Sequence, residues 1–109
     1  MAYITNRNTY SVVYGTASDD TIYNSDISHY STLDGGAGND SIYTYQGNQL
    51  TIRGGTGNDT IRINSLYSNR HVIQYSEGDG NDLIQGFKSD STLSLESGSY
   101  TSMISGWKN

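Results

Sequence analysis

Four turns rich in glycine and small polar residues recur along the 109-residue chain, and they strongly constrain its fold. Each turn ends in an aspartate that is followed two positions later by an isoleucine. The aspartates are Asp20, Asp40, Asp59 and Asp82, so they lie 20, 19 and 23 residues apart. Between them, each period contains two short apolar segments and a second, looser turn. A period of this kind predicts one coil of a solenoid in which each coil stacks on its neighbours.

Stacked coils would bring the aliphatic residues of successive strands into two inward columns. The predicted columns are Ile22, Ile42, Ile61 and Ile84 on one side, and Val13, Leu33, Ile52 and Tyr75 on the other. Two thin columns need few large side chains, and the chain has only 20 Ile, Val, Leu and Phe residues. A chain so poor in aliphatic residues does not build an ordinary hydrophobic globule, so the fold needs a further source of stability.

Composition excludes several such sources. The chain has no Cys, which excludes a disulfide or a thiolate metal site. The six Lys and Arg residues are scattered and the net charge is −5, so we do not expect a nucleic-acid-binding surface. The sequence has no apolar run long enough to predict a membrane span. His29 and His71 have no Cys or His partner at ligand spacing and are expected in exposed loops. The sequence contains no nucleophile elbow, P-loop or EF-hand motif, so we do not expect an enzyme.

The turn from Gly54 to Asp59 suggests what the missing stabiliser is. Its three glycines allow a sharp turn whose carbonyl oxygens point inward, and the aspartate adds a carboxylate. Ca²⁺ prefers six to eight such oxygens, and two turns one strand spacing apart (about 4.8 Å) could supply them together. Glycine and asparagine are also ordinary turn formers, so a single turn of this kind could be only a turn. Recurrence of the aspartate favours a metal, because stacked carboxylates without a cation would repel one another.

Two segments, residues 35–43 and 54–62, match the calcium-binding nonapeptide of the repeats-in-toxin (RTX) family at every motif position. The chain resembles that family over about residues 11–95. This resemblance implies an all-β fold, a right-handed parallel β-roll or short β-solenoid of about four coils. Because only every other turn carries the motif, it implies calcium on one side of the roll.

The two outer turns depart from the family pattern. In the turn at Gly15, Thr16 and Ser18 stand where the motif has glycines. In the turn at Glu77, that glutamate takes the first position and Asp79 the third. These departures make the outer turns less typical than the two central ones.

In the RTX family an ion lies between two turns. The earlier turn gives the carbonyls of its second and fourth residues, the later turn gives those of its first and third, and both give their aspartate. Carried over, the resemblance implies two to three Ca²⁺ ions. The ligand sets are Gly36, Gly38 and Asp40 with Gly54, Thr56 and Asp59; Gly55, Gly57 and Asp59 with Glu77, Asp79 and Asp82; and Thr16, Ser18 and Asp20 with Gly35, Ala37 and Asp40. In the third set, residues with a Cβ would have to adopt glycine-like backbone angles. The longer spacing before Asp82 is expected to add residues only to the looser turn near 67–70.

We expect a single domain over residues 1–109, in which the segment 96–109 either closes the solenoid or is a truncated end. The resemblance implies a non-catalytic module of a secreted or surface bacterial protein. Such modules stay unfolded at low calcium, pass a type I secretion channel and fold outside the cell. Besides calcium, the expected partners are neighbouring domains, and open strand edges allow end-to-end self-association.

The sequence is also compatible with other functions. An auxiliary module of an extracellular hydrolase or epimerase would look the same in sequence. An adhesive, ligand-binding or ice-binding solenoid is another alternative, although the third turn positions form an irregular row: Ala17, Ala37, Thr56 and Asp79.

Two tyrosines, Tyr23 and Tyr43, occupy equivalent positions in successive coils. We expect them to form an outward cross-strand pair. The alternative is that they form, with Tyr45, a strip that contacts carbohydrate or a partner.

Overall fold

The computed structural model describes residues 2–25, 28–45, 48–64, 70–75, 83–86, 92–95 and 103–105. These ranges contain eleven β-strands. The strands are β1 (Tyr3–Asn6), β2 (Val12–Tyr14), β3 (Thr21–Asn24), β4 (Thr32–Asp34), β5 (Ser41–Tyr45), β6 (Thr51–Arg53), β7 (Thr60–Asn64), β8 (Val72–Tyr75), β9 (Leu83–Gln85), β10 (Thr92–Leu95) and β11 (Met103–Ser105). Within the same ranges no helix has the length and apolarity that a membrane crossing requires.

Successive strands alternate between two parallel sheets. The odd-numbered strands form a six-stranded sheet in the order β1-β3-β5-β7-β9-β11, and the even-numbered strands form a five-stranded sheet in the order β2-β4-β6-β8-β10. This arrangement confirms the predicted all-β parallel solenoid. Strands β1 and β11 lie outside the 11–95 range of the repeats, so one sheet extends beyond them at both ends. Parallel pairing uses backbone groups alone, which is why strands without the motif can join.

The first inward column has the predicted composition. Ile22 pairs with Ile42, Ile42 with Ile61 and Ile61 with Ile84, each directly across neighbouring strands. All four side chains are almost completely buried. Because the side-chain period of a strand is two, this register places every one of them on the same inner face.

The second column differs from the prediction at its last member. Leu33 lies opposite Ile52, and Ile52 lies opposite Ile73. The assignment of Tyr75 to this column is therefore wrong. Tyr75 precedes the glutamate of its turn by as many positions as Ile52 precedes its glycine, and that spacing suggested equivalence. Pairing of β6 with β8 sets the register instead.

The longer last period divides its extra residues between both turns. Arg53 to Thr60 spans seven positions, whereas the equivalent Gln74 to Leu83 spans nine. On the opposite side, the looser turn is also two residues longer than its predecessor, since Tyr45 pairs with Asn64 and Thr51 with Val72. The expectation that only the looser turn would be longer is therefore wrong.

Polar side chains close the interior on the side of the looser turns. The amide of Asn6 donates to Oδ1 of Asn24 at 2.7 Å, and the amide of Asn24 donates to the carbonyl of Ser28 at 2.9 Å. The Ser28 hydroxyl donates back to the carbonyl of Asn6 at 3.0 Å. These buried groups satisfy one another, so side chains close this side of the first two coils.

The two histidines lie on this side too, but they are not both exposed. His71 is buried, and its Nδ1 accepts a hydrogen bond from the Leu50 amide at 3.1 Å. His29 is half-buried, and its Nδ1 accepts from the Asn48 amide at 3.0 Å. Each imidazole therefore satisfies a backbone amide of a neighbouring coil, and the prediction of an exposed loop position is wrong for His71.

Candidate metal centre

Three motif turns stack at one edge of the solenoid. We refer to them as turn 1 (15–20), turn 2 (35–40) and turn 3 (54–59); they join β2 to β3, β4 to β5 and β6 to β7. The fourth predicted turn, with Glu77, Asp79 and Asp82, lies outside the described residues. Turns 1 to 3 have equal length and sit in register, because the strands on both sides of them pair residue for residue.

Glycines give turns 2 and 3 a backbone that other residues rarely adopt. The φ angles of Gly36 and Gly38 are 83° and 93°, and those of Gly55 and Gly57 are 89° and 101°. In turn 1 the equivalent Thr16 and Ser18 do not have a positive φ. The third predicted ligand set would have required glycine-like angles at these two residues, and they do not take them, because a Cβ makes such angles costly.

In turns 1 and 2, the carbonyl oxygens at the second and fourth positions point toward the following turn. A Cβ built on Gly36 would lie 2.8 Å from the Thr16 carbonyl oxygen, and one on Gly38 would lie 2.8 Å from that of Ser18. The same relation holds one coil further on. A Cβ built on Gly55 would clash with the carbonyl oxygen of Gly36, and one built on Gly57 would clash with that of Gly38. Only glycine leaves room for these oxygens between the turns.

Another carbonyl points in the opposite direction. A Cβ on Gly35 would lie 2.7 Å from the carbonyl oxygen of Gly54 and 2.5 Å from Oδ2 of Asp40. The first-position carbonyl of turn 3 and the carboxylate of turn 2 therefore converge beside the same α-carbon. The gap between turns 2 and 3 thus receives oxygens from both turns.

The aspartates that end the turns form a hydrogen-bonded column. The amide of Asp20 donates to Oδ1 of Asp40 at 2.8 Å, and the amide of Asp40 donates to Oδ1 of Asp59 at 2.8 Å. In the same way, the amide of Ala2, next to β1, donates to Oδ1 of Asp20 at 2.8 Å. All three aspartates are buried, so one oxygen of each is fixed by the neighbouring coil.

The second carboxylate oxygen distinguishes turn 1 from turn 2. In turn 1, Oδ2 of Asp20 accepts from the Thr16 amide at 2.6 Å and from the Thr16 hydroxyl at 3.0 Å. In turn 2, Oδ2 of Asp40 is buried and has no hydrogen-bond donor. A buried anionic oxygen without a donor is costly, and a cation would supply the missing partner.

The pKa values reflect this contrast. Burial, together with the negative charges of Asp20, Asp19 and Asp34, raises the pKa of Asp40 to about 6 against the opposing hydrogen bond from the Asp20 amide. Burial acts on Asp20 in the same direction. However, the hydrogen bonds from Thr16 and from the Ala2 amide together hold the pKa of Asp20 below its usual range. A carboxyl that resists ionisation when buried alone is stabilised as an anion by an adjacent cation.

The donor set fits a hard cation. Between turns 2 and 3 it consists of backbone carbonyl and carboxylate oxygens, which are the ligands that Ca²⁺ prefers. Among the described residues, no three His, Cys, Asp or Glu side chains form a metal-binding group. Most ligands would therefore have to come from the backbone, and glycine is the residue that permits this geometry.

The structure brings together most of the residues that the sequence singled out. Turns 1 to 3 stack as predicted, and their aspartates share one column. Sequence reasoning missed the donor role of Thr16. A threonine four positions before an aspartate in a turn is the available signal, because such hydroxyls commonly bond to nearby groups.

Comparison with known families agrees with this geometry. The model of the RTX calcium-binding nonapeptide repeat (four copies) matches residues 31–48 and 51–62. These ranges contain turns 2 and 3, all of β4, β5 and β6, and the first three residues of β7. No curated protein and no solved structure shows significant similarity to the chain. This β-solenoid therefore carries, between residues 31 and 62, repeats of the RTX calcium-binding nonapeptide family.

Proposed function

We propose that the chain is a calcium-binding β-roll module in which Ca²⁺ ions lie between neighbouring turns on one side of the solenoid. The observation that carries this proposal is Oδ2 of Asp40, a buried carboxylate oxygen without a donor beside the carbonyl of Gly54. An ion between turns 2 and 3 would complete the coordination of that oxygen. It would also neutralise the column of aspartates.

Two to three ions are proposed, one for each gap between motif turns. The gap between turns 2 and 3 offers Oδ2 of Asp40, which has no donor, beside the carbonyl of Gly54. The gap after turn 3 would add Gly55, Gly57 and Asp59 to the ligands of the fourth turn. The gap between turns 1 and 2 is the weakest, since both oxygens of Asp20 already accept hydrogen bonds from the protein.

Calcium binding should drive folding in this module. The ligands are spread over separate coils, so a site exists only after the coils have stacked. The free energy of binding therefore adds to the stability of the folded chain. Without the ion, the buried aspartates at 20, 40 and 59 repel one another, and the thin aliphatic core has little stability in reserve.

The cellular role follows from the repeats by analogy. RTX repeats are typical of secreted bacterial proteins and generally act as non-catalytic structural elements. We propose that this chain is such a module of a secreted or surface protein. It would remain unfolded at low calcium during export by a type I system and fold in a calcium-rich exterior.

Calorimetric titration of the chelator-treated chain tests the proposal. We expect two to three Ca²⁺ ions per chain and a gain of β-structure in the circular dichroism spectrum. Mg²⁺ is the matched control; it should bind far more weakly, because it requires a tighter octahedral site and holds its water. Absence of both heat and spectral change at millimolar calcium would overturn the proposal.

A further inference from the structure

The outer face of the six-stranded sheet contains a groove lined by tyrosines. It has a volume of about 530 Å³ and crosses four neighbouring strands. Its walls come from Tyr3 on β1, Tyr23 on β3, Tyr43 and Tyr45 on β5, and Arg62 and Asn64 on β7. The groove lies on a face that neither the core nor the candidate metal centre uses.

Strand pairing places these side chains in adjacent outward positions. Tyr23 lies directly opposite Tyr43, Tyr43 opposite Arg62, and Tyr45 opposite Asn64. The Arg62 guanidinium lies over the Tyr43 ring, 5.6 Å from its centroid. The sheet therefore places Tyr23 and Tyr43 on neighbouring strands about 4.8 Å apart, whereas Tyr3 lies opposite Thr21 and Tyr45 lies two residues beyond Tyr43 on the same strand.

The polar groups of the groove are available to a ligand. Within the described part of the chain, the hydroxyls of its four tyrosines make no hydrogen bond, and Arg62 has no acidic partner. The opposite sheet differs, because there Arg53 pairs with Asp34 at 3.4 Å and its Nε donates to Gln74 at 2.9 Å. Arg53, Asp34 and Gln74 of one sheet thus bond to each other, whereas Arg62 and the tyrosine hydroxyls of the groove are left for solvent or a partner.

The lining chemistry favours a sugar chain over a protein segment. No described residue that lines the groove is aliphatic, and each aromatic ring carries a hydroxyl. Rings that offer an apolar face with a polar edge suit the alternating C–H and O–H surfaces of a sugar. The net charge of −5 disfavours an acidic polymer, which the protein's own field would repel.

We propose that this groove binds an extended segment of a neutral polysaccharide. The tyrosine rings stack on its sugar faces, while Arg62 and Asn64 donate hydrogen bonds to its hydroxyls. The groove depends on the stacked coils, so this inference rests on the proposed function to the extent that calcium is needed for folding.

Affinity electrophoresis of the calcium-loaded chain tests this inference, with soluble mixed-linkage β-glucan, galactomannan and dextran as probes. We expect at least one of these neutral polymers to retard the protein. Tyr43→Ala should weaken that binding roughly tenfold, because it removes a stacking ring. Tyr43→Phe keeps the ring and should lose much less. Tyr14→Ala is the matched control, because Tyr14 is an exposed tyrosine on the other sheet. This variant should bind the polymer as tightly as the unmodified chain does.

Circular dichroism of the same samples separates the two proposals. A circular dichroism spectrum that calcium does not change would contradict the proposed metal site, whether or not a polysaccharide binds. A folded chain that no neutral polymer retards would overturn the groove inference. Equal losses of polysaccharide affinity in Tyr14→Ala and Tyr43→Ala would also overturn it. The same holds if the acidic polymer polygalacturonate retards the protein and no neutral polymer does.

Discussion

Turns 1 and 2 have the same length and stack directly on each other, yet their aspartates are in opposite situations. Asp20 receives donors at both oxygens, two of them from Thr16 in its own turn. Asp40 receives one donor, and its other oxygen is buried without any. Accordingly, the pKa of Asp20 lies below its usual range and that of Asp40 is raised to about 6.

The difference shows how one side chain can replace part of a metal site. With threonine at the second turn position, the turn satisfies its own carboxylate and its backbone avoids a positive φ. With glycine there, the carboxylate is exposed to the gap, and the backbone leaves room for carbonyls of the neighbouring turn. Turn 1 thus satisfies within itself a carboxylate oxygen that turn 2 leaves without a donor.

Removing calcium should have the largest effect, because it affects every gap at once. We expect the chelator-treated chain to lose most of its β-structure, since the buried aspartates then repel one another without compensation. Circular dichroism in EGTA, followed by titration with calcium, measures this change. A β spectrum that is indifferent to the chelator would mean that turn 2 satisfies its carboxylate in another way.

Neutralising one aspartate at a time sharpens the comparison between the two turns. Asp40→Asn should lower calcium affinity by about tenfold or more, because Asp40 borders two gaps and carries the unpartnered oxygen. Asp20→Asn should lower it only a few-fold, because the oxygens of Asp20 already bond to the protein. Calorimetric titration of the two variants side by side gives both values. Equal losses in affinity would contradict the proposed difference.

Placing the residue of turn 1 into turn 2 should be costly for the backbone. Gly36 has a φ of 83°, and a Cβ there would lie 2.8 Å from the Thr16 carbonyl oxygen. We expect Gly36→Thr to destabilise the calcium-loaded chain by about 1–3 kcal/mol in denaturant unfolding. Ala37→Ser, at the exposed neighbouring position, serves as control and should stay within about 0.5 kcal/mol. If the two variants unfold alike, the positive φ at Gly36 is not required.

The smallest effect is expected from removing the hydroxyl of turn 1. Thr16→Val keeps the Cβ and its shape but takes one donor away from Asp20. Binding in the gap between turns 1 and 2 should become a few-fold tighter, because the hydroxyl no longer competes with an ion for the Asp20 carboxylate. Calcium titration of this variant beside the unmodified chain tests the gain. Weaker binding would show that the hydroxyl supports the metal site instead of competing with it.

Much of the fold could be predicted from the period of the sequence. Four aspartates at nearly constant spacing implied stacked coils, and the isoleucine two positions after each one implied the first core column. The second column was less predictable, because its strands are followed by a turn of variable length. Counting from the motif placed Tyr75 in that column, whereas pairing between β6 and β8 selected Ile73. Register is a property of two strands, so a spacing within one strand does not determine it.

The candidate metal site, like the fold, could be predicted from the sequence only in part. Which turns could offer oxygens is readable from the sequence, because glycine at fixed positions is a local requirement of the backbone. Which of those oxygens lacks a partner depends on how the coils stack. Oδ1 of Asp40 bonds to an amide 20 residues away, while Oδ2 meets no donor. Likewise, His71 is buried because it accepts from the amide of Leu50 in the neighbouring coil. Hydrogen bonds between coils depend on how the strands stack, and stacking joins residues that no short stretch of sequence contains.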